Sequence, residues 1–213
     1  MKVKAVLFDL DGTLVNTLAD ISAAMNGALA EMNLPGWDKD EYRYLVGNGA
    51  KKLAERAVRE RKELAGKVLE SYQRRYEKHN TELSVPYEGI PELLSALKEK
   101  DIRICVFTNK PDADAKRVIS FYFPGIIFDA VHGQREGIPI KPDPAGALEI
   151  SGELGVPAGE CFYLGDSAVD MVCALRAGMR PVGVLWGFRT RDELEEGGAE
   201  FVISRPEELL KKL

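Results

Sequence analysis

The chain has 213 residues, 45% of them hydrophobic and 30% charged, the profile of a globular protein that buries a core as one domain or as a domain carrying a smaller one. Its formal net charge of −5 speaks against nonspecific binding to nucleic acid or to an anionic membrane, since both need a basic face. No apolar run approaches membrane-spanning length, and Asp9 and Asp11 interrupt the N-terminal apolar stretch too early for the apolar segment of a signal peptide.

The first predicted strand begins at Val3 and ends on Asp9, Leu10, Asp11 and Gly12. Residues 17–33 repeat apolar side chains at helical spacing (Leu18, Ile21, Met25, Ala28, Leu29, Met32), and Pro35-Gly36 stops that helix. Residues 38–46, 50–61 and 63–79 also read as helices, and no strand is expected between about residues 15 and 83. Beyond that point helices over 91–100, 112–121, 144–154, 167–177 and 206–212 alternate with short apolar strands over 102–107, 127–132, 161–165, 181–186 and 201–203. Such alternation predicts an α/β fold, a doubly wound parallel sheet with helices on both faces. The expected core is then residues 1–14 and 85–213, with an all-helical insertion over 15–84 and joints near Val15 and Ser84-Val85-Pro86. Cys105, Cys161 and Cys173 are odd in number and form no CxxC; they read as buried free thiols and fit a reducing, cytoplasmic setting.

In a doubly wound sheet, chemistry gathers at the carboxyl ends of the strands. Asp9-Leu10-Asp11-Gly12-Thr13 follows the first strand, Thr108-Asn109-Lys110 the second, and Asp166-Ser167-Ala168-Val169-Asp170 the fourth, while Lys141 precedes the helix at 144. A carboxylate of ordinary pKa, about 4, is ionised at neutral pH without a helper base and can attack phosphorus directly. Its approach to a phosphate dianion is opposed by charge, which a hard divalent cation offsets; Mg²⁺ prefers a few carboxylates, water and phosphate oxygens. Asp9 and Asp166 can supply the carboxylates, and Asp170, one helical turn after Asp166, can support the ion directly or through water. Asp11, two residues along an extended chain, returns to the same face as Asp9, and Gly12 permits a tight turn after it.

The stretches "FDLDGTLV", "VFTNK", "KPDP" and "GDSAVD" resemble the four ordered motifs of the haloacid dehalogenase superfamily, and the resemblance covers nearly the whole chain. Within it, "GVLWGFRTRDEL" and "AEFVISRPEEL" are similar to segments of phosphoglycolate phosphatases and their close relatives. The resemblance implies six parallel strands in the order 3-2-1-4-5-6 and a small mobile helical cap over residues 15–84. It makes Asp9 the nucleophile of an aspartyl-phosphate mechanism and Asp11 the general acid/base, crowded by neighbouring carboxylates. The Asp11 backbone carbonyl joins Asp9 and Asp166 around Mg²⁺. Thr108, the Asn109 amide and Lys141 bind the phosphoryl group.

The implied partner is a small phosphorylated metabolite, 2-phosphoglycolate first, with pyrophosphate, a nucleotide or a sugar phosphate as alternatives, and the implied assembly is a monomer or homodimer. Phosphosugar mutases share the core and the cap, and a catalytically silent binding module with this fold is the alternative of a different class. The dehalogenase branch would leave Asp11 without a task. A phosphonate-cleaving relative would need a Schiff-base lysine in the cap, where Lys51 and Lys52 read better as solvated. In the cap, Gly47-Asn48-Gly49 reads either as an interhelical turn or as an anion site at a helix N-terminus, with Arg43 and Lys51 as partners for a substrate carboxylate. Trp186, Gly187, Phe188 and Arg189 read as a loop anchored by aromatics rather than as a substrate contact, and His79 and His132 as ordinary surface or strand-end residues.

Overall fold

Four consecutive apolar residues form the first strand, β1 (Ala5–Phe8), and all four are buried because both faces of the sheet are covered. The computed structural model describes residues 2–213. The chain continues through a two-residue strand β2 (Val15–Asn16) into helices α1 (Leu18–Glu31), α2 (Tyr42–Leu45), α3 (Gly49–Ala57) and α4 (Ala65–His79). It returns through β3 (Val85–Pro86), which pairs antiparallel with β2, so the helical segment is entered and left through one short ribbon. The rest alternates: α5 (Ile90–Glu99), β4 (Arg103–Pro111), α6 (Asp112–Tyr122), β5 (Ala130–Gln134), α7 (Ala145–Leu154), β6 (Cys161–Gly165), α8 (Ala168–Arg176), β7 (Arg180–Val184), α9 (Arg191–Glu196) and β8 (Phe201–Ile203).

Six of these strands form one parallel sheet in the order β5-β4-β1-β6-β7-β8, the expected 3-2-1-4-5-6. The two-residue period of β1 divides its side chains between two cores. Val6 and Phe8 pack with Leu93, Leu94 and Leu97 of α5 and Val118 of α6, whereas Ala5 and Leu7 pack with Ala147 and Ile150 of α7 and Cys173 and Ala174 of α8. The helical segment has a third core of its own, in which Met25 and Leu29 of α1 meet Leu53 of α3 and Val68 and Tyr72 of α4. A surface network reinforces it: Glu31 accepts hydrogen bonds from Ser71, Arg74 and Arg75, joining α1 to α4. The carboxylate of Asp20, buried on α1, accepts from the Leu83 and Ser84 amides at 2.9 Å each and from the Ser84 hydroxyl at 2.5 Å. It therefore pins the helical segment to its own exit strand.

Several boundaries differ from expectation, each for a local reason. The helix expected over 38–46 breaks into a 3₁₀ turn (Lys39–Glu41) and α2, because Glu41 folds back to accept the Asp38 amide at 2.9 Å. The strand expected over 127–132 starts later, because the Asp129 carboxylate turns inward to accept the Ile104 amide and the Lys98 and Arg103 side chains. Residues 206–211 form a 3₁₀ turn rather than an α-helix. The strand expected over 102–107 runs on to Pro111, with a register shift against β5 after Phe107, so Thr108, Asn109 and Lys110 lie on its irregular end. Helix α9 was not anticipated. Among the described residues no helix is long and apolar enough to cross a membrane, and all three cysteines are free and buried.

Candidate active site

The carboxyl ends of β1, β4 and β6 open onto a cleft beneath the helical layer. Its lining includes Asp9, Asp11, Thr108, Asn109, Lys110 and Asp166 from the sheet and Gly47, Gly49, Leu53, Tyr72 and Tyr76 from the helices. Asp9 extends the β1 ladder by one bond, its amide donating to the Leu164 carbonyl at 2.9 Å. The chain then turns at once. The Thr13, Leu14 and Val15 amides all converge on the Leu10 carbonyl, and Gly12 adopts φ +86°, a left-handed conformation that side chains resist. A Cβ on Gly12 would also run into the Asp166 carboxylate.

Behind the cleft floor lies a dense charge cluster. The Lys141 ammonium donates to Asp170 Oδ1 at 2.6 Å and sits 2.8 Å from Asp9 Oδ1, all three residues being buried. The second contact has ion-pair distance without hydrogen-bond direction, so Asp9 Oδ1 is buried with no hydrogen-bond partner. Asp170 Oδ2 accepts from the Ser167 amide and hydroxyl, so both of its oxygens are engaged. Asn109 fixes Lys141 from the other side: its Oδ1 accepts the Lys141 amide at 2.8 Å, while its Nδ2 donates to the Lys141 and Gly47 carbonyls.

Three carboxylates, those of Asp9, Asp166 and Asp170, offer oxygens within 4.8 Å of one another, and two of them, Asp9 and Asp170, contact the Lys141 ammonium. Burial pushes the Asp9 carboxyl up to about 6 against the pull of Lys141. Burial, with Asp170 and Asp9 adding to it, pushes Asp166 well above the usual carboxylate range. Burial alone would lower the Lys141 ammonium, but Asp170 and Asp9 outweigh it and raise it well above the usual lysine range. An excess of buried carboxylate oxygens, one of them unpartnered, is what a hard divalent cation fits. The donors are all oxygen, which excludes a preference for soft metals.

Asp11 meets a different neighbour from the one expected. Instead of pressing against another carboxylate, it is gripped at both oxygens by Lys110, at 2.8 and 3.0 Å. The third hydrogen bond of that ammonium goes to the Tyr76 hydroxyl of α4 at 2.7 Å, linking the sheet end to the helical layer. Burial works against the charge on Lys110, and the Asp11 carboxylate more than restores it, leaving the group raised. The sequence pattern placed Lys110 at the chemical end of the sheet, in Thr108-Asn109-Lys110, without assigning it a role.

Thr108 is buried at the cleft, with its Oγ accepting the Lys110 amide at 3.3 Å. In the helical layer Gly47 and Gly49 line the cleft, at the N-terminus of α3. Asn48, Arg43 and Lys51 are not among the lining residues: Asn48 Oδ1 accepts from Arg56, and the Arg43 and Lys51 side chains are exposed. His79 is exposed beside Glu82, and His132 on β5 sits between Glu149 and Glu153, away from the cleft. The loop after β7 does more than anchor itself. Trp186 Nε1 donates to the Thr13 carbonyl, the Phe188 amide donates to Asp166 Oδ2 at 2.7 Å, and Phe188 and Arg189 line the cleft.

Comparison with known proteins places this geometry in context. A family model described as haloacid dehalogenase-like hydrolase matches residues 6–184. The chain is 33% identical over 216 residues to the phosphoglycolate phosphatase of Haemophilus influenzae strain 86-028NP, covering 97% of this chain and 96% of that protein. It is 30% identical over 213 residues to the phosphoglycolate phosphatase of Aquifex aeolicus, covering 98% and 96%. The crystal structure of a predicted phosphoglycolate phosphatase from Haemophilus somnus 129PT superposes with a TM-score of 0.92 at 27% identity, covering 100% of this chain and 98% of that one.

Proposed function

The chain belongs to the haloacid dehalogenase-like hydrolases, within their phosphoglycolate phosphatase-like group, and on that footing we propose that it hydrolyses 2-phosphoglycolate to glycolate and phosphate. What supports this reading is the meeting of Asp9, Asp11, Thr108 and Asp166 at one cleft, in a chain alike end to end to curated phosphoglycolate phosphatases.

Asp9 attacks phosphorus through a carboxylate oxygen, forming an Asp–O–P bond as the bond to the leaving oxygen breaks. Asp11, two residues along the same strand end, delivers a proton to that oxygen and then takes one from the water that attacks the aspartyl phosphate, releasing phosphate and restoring Asp9. With its carboxyl at about 6, Asp9 is ionised at neutral pH and needs no activating base. Thr108 and the amides beside it hold phosphoryl oxygens, and Lys141, already oriented by Asn109, offsets their charge. Mg²⁺ held by Asp9, Asp166 and the Asp11 carbonyl would screen the nucleophile from the phosphate dianion; Asp170, with both oxygens engaged, supports from behind.

Residues 15–84 act as a cap that closes over the carboxyl ends of the strands, shedding bulk water during transfer and admitting one water afterwards. The substrate carboxylate faces the N-terminal amides of α3 at Gly49 and Ala50, whose N-cap residue Asn48 makes no side-chain cap bond. Buried thiols fit a reducing cytoplasm.

A panel of phosphate esters tests the reading. The expected result is turnover of 2-phosphoglycolate ahead of pyrophosphate, a sugar phosphate and an aryl phosphate, dependent on Mg²⁺ and lost in EDTA. Turnover of none of them would leave a binding module, and phosphoryl transfer to a sugar in place of water would indicate a mutase.

A further inference from the structure

Phe188 and Arg189 are not used by the chemistry proposed above, yet they touch the catalytic floor and the helical cap at the same time. The Phe188 amide donates to Asp166 Oδ2 at 2.7 Å, while its ring packs against the core of α1–α4. Gly187 makes this approach feasible, since a Cβ there would overlap the Asp166 side chain and the Gly12 carbonyl. Arg189 reaches further into the cap. Its guanidinium donates to the Arg43 carbonyl, within the single turn of α2, and, at 3.1 Å, to the Val46 carbonyl just after it. Its Nε lies 3.4 Å from Glu193 Oε1 on α9, which holds the side chain from the core side. The side chain is only 13% exposed, so it is spent on these contacts rather than solvated.

In a single helical turn such carbonyls lack intrahelical partners, so a guanidinium is well matched to them. The match spans two parts of the chain: Arg189 belongs to the sheet layer and its acceptors to the cap. The two bonds therefore tie the helical layer to the sheet layer.

We infer that Arg189 is a positioning residue, a latch that holds the cap closed and, through its neighbour Phe188, couples closure to the placement of the Asp166 carboxylate. The inference rests on the phosphatase reading only for its catalytic consequence. Opening the cap removes the Arg189 bonds and pulls on the Phe188 ring, and the Phe188 amide is the hydrogen-bond donor to Asp166.

The test uses the full chain with spin labels at Glu60→Cys in the cap and Glu196→Cys in the core, both exposed positions, the native thiols being buried. Interlabel distances are measured by electron–electron double resonance for the wild-type background, Arg189→Ala and Arg189→Lys, with circular dichroism to verify folding. Arg189→Ala is expected to shift the distribution to longer distances and to lower kcat/KM for a phosphomonoester about tenfold to a hundredfold, the loss of two charge-assisted hydrogen bonds. Arg189→Lys, able to reach one carbonyl, falls between. An unchanged distance distribution in a folded Arg189→Ala protein overturns the latch whatever the kinetics. Absence of any turnover by the wild type would instead defeat the phosphatase reading, with the distances still deciding the latch.

Discussion

Replacing Asp9, the proposed nucleophile, should make the metal-free protein more stable while abolishing the proposed activity. Asp9 sits beside Asp166 and Asp170, sharing the Lys141 ammonium with Asp170, and burial pushes its carboxyl from 3.8 to about 6. A shift of that size means that the ionised side chain destabilises the fold at pH 7 by about 3 kcal/mol, at roughly 1.4 kcal/mol per pKa unit. In Asp9→Asn the charge is gone, and Lys141 keeps its 2.6 Å bond to Asp170. An imperfectly paired amide returns about 1 kcal/mol of that gain. The net expectation is a stabilisation of about 2 kcal/mol, or roughly 4–8 °C in melting temperature for a chain of this size.

The pH dependence follows from the direction of the shift. The folded chain binds the Asp9 proton more tightly than the unfolded chain, so wild-type stability falls as pH rises from about 4 to about 6 and is level above that. The advantage of the variant is therefore absent at pH 4 and complete above pH 7. Urea unfolding in EDTA at pH 4.0 and 7.5, followed by far-ultraviolet circular dichroism, reads both. Excess Mg²⁺ should narrow the gap at pH 7.5 by stabilising the wild type, as an ion that binds only the folded cluster would. A variant no more stable than the wild type at pH 7.5 in EDTA would show that the cluster does not carry the electrostatic strain assigned to it.

Three further outcomes are expected. Asp20→Ala strands the Leu83 and Ser84 amides at the exit from the cap and should cost about 3–5 kcal/mol in urea unfolding; a cost under about 1 kcal/mol would mean that water replaces the carboxylate. Gly187→Ala drives a methyl group against Asp166 and should weaken Mn²⁺ binding, read by electron paramagnetic resonance, along with a stability loss of about 1–3 kcal/mol; unchanged affinity would refute the close fit. Ser71, then Arg75 and Arg74, hold the Glu31 carboxyl at about 2, so its stabilisation is present above about pH 4.5 and drains away as pH falls toward 2. The urea midpoints of wild type and Glu31→Gln should accordingly differ at pH 6 and converge near pH 2, and a gap independent of pH would contradict that origin.

The sheet was legible because most of its strands contain a short apolar run and most of the longer helices carry their period. Val6 and Phe8 against Ala5 and Leu7 show how little else the sheet needs to be double-faced. That Asp9, Asp11, Thr108 and Asp166 would meet was legible because their motifs stand in order, each at the end of a strand, and Lys141 joins them from the loop before α7. Lys110 escaped because its meaning depends on Asp11 and Tyr76, 99 and 34 residues away in sequence. Where Arg43 and Lys51 would lie was not legible, because a charge near a glycine turn carries no information about which way its side chain points; both are exposed and outside the cleft lining. The Trp186–Arg189 loop concealed its role because Phe188 acts through its backbone amide, which every residue has. Helix α9 did leave a signal, Thr190 three residues before Glu193, and the Thr190 hydroxyl accepts the Glu193 amide at 3.4 Å.

The covalent step at Asp9 is tested most directly by the stereochemistry at phosphorus. A phosphomonoester made chiral with oxygen isotopes and sulfur, hydrolysed in isotopically distinct water, reports how many in-line displacements occur. Transfer to Asp9 followed by transfer to water inverts the centre twice, so the account predicts overall retention. Net inversion would mean that water attacks the ester directly, with Asp9 serving only as a metal ligand.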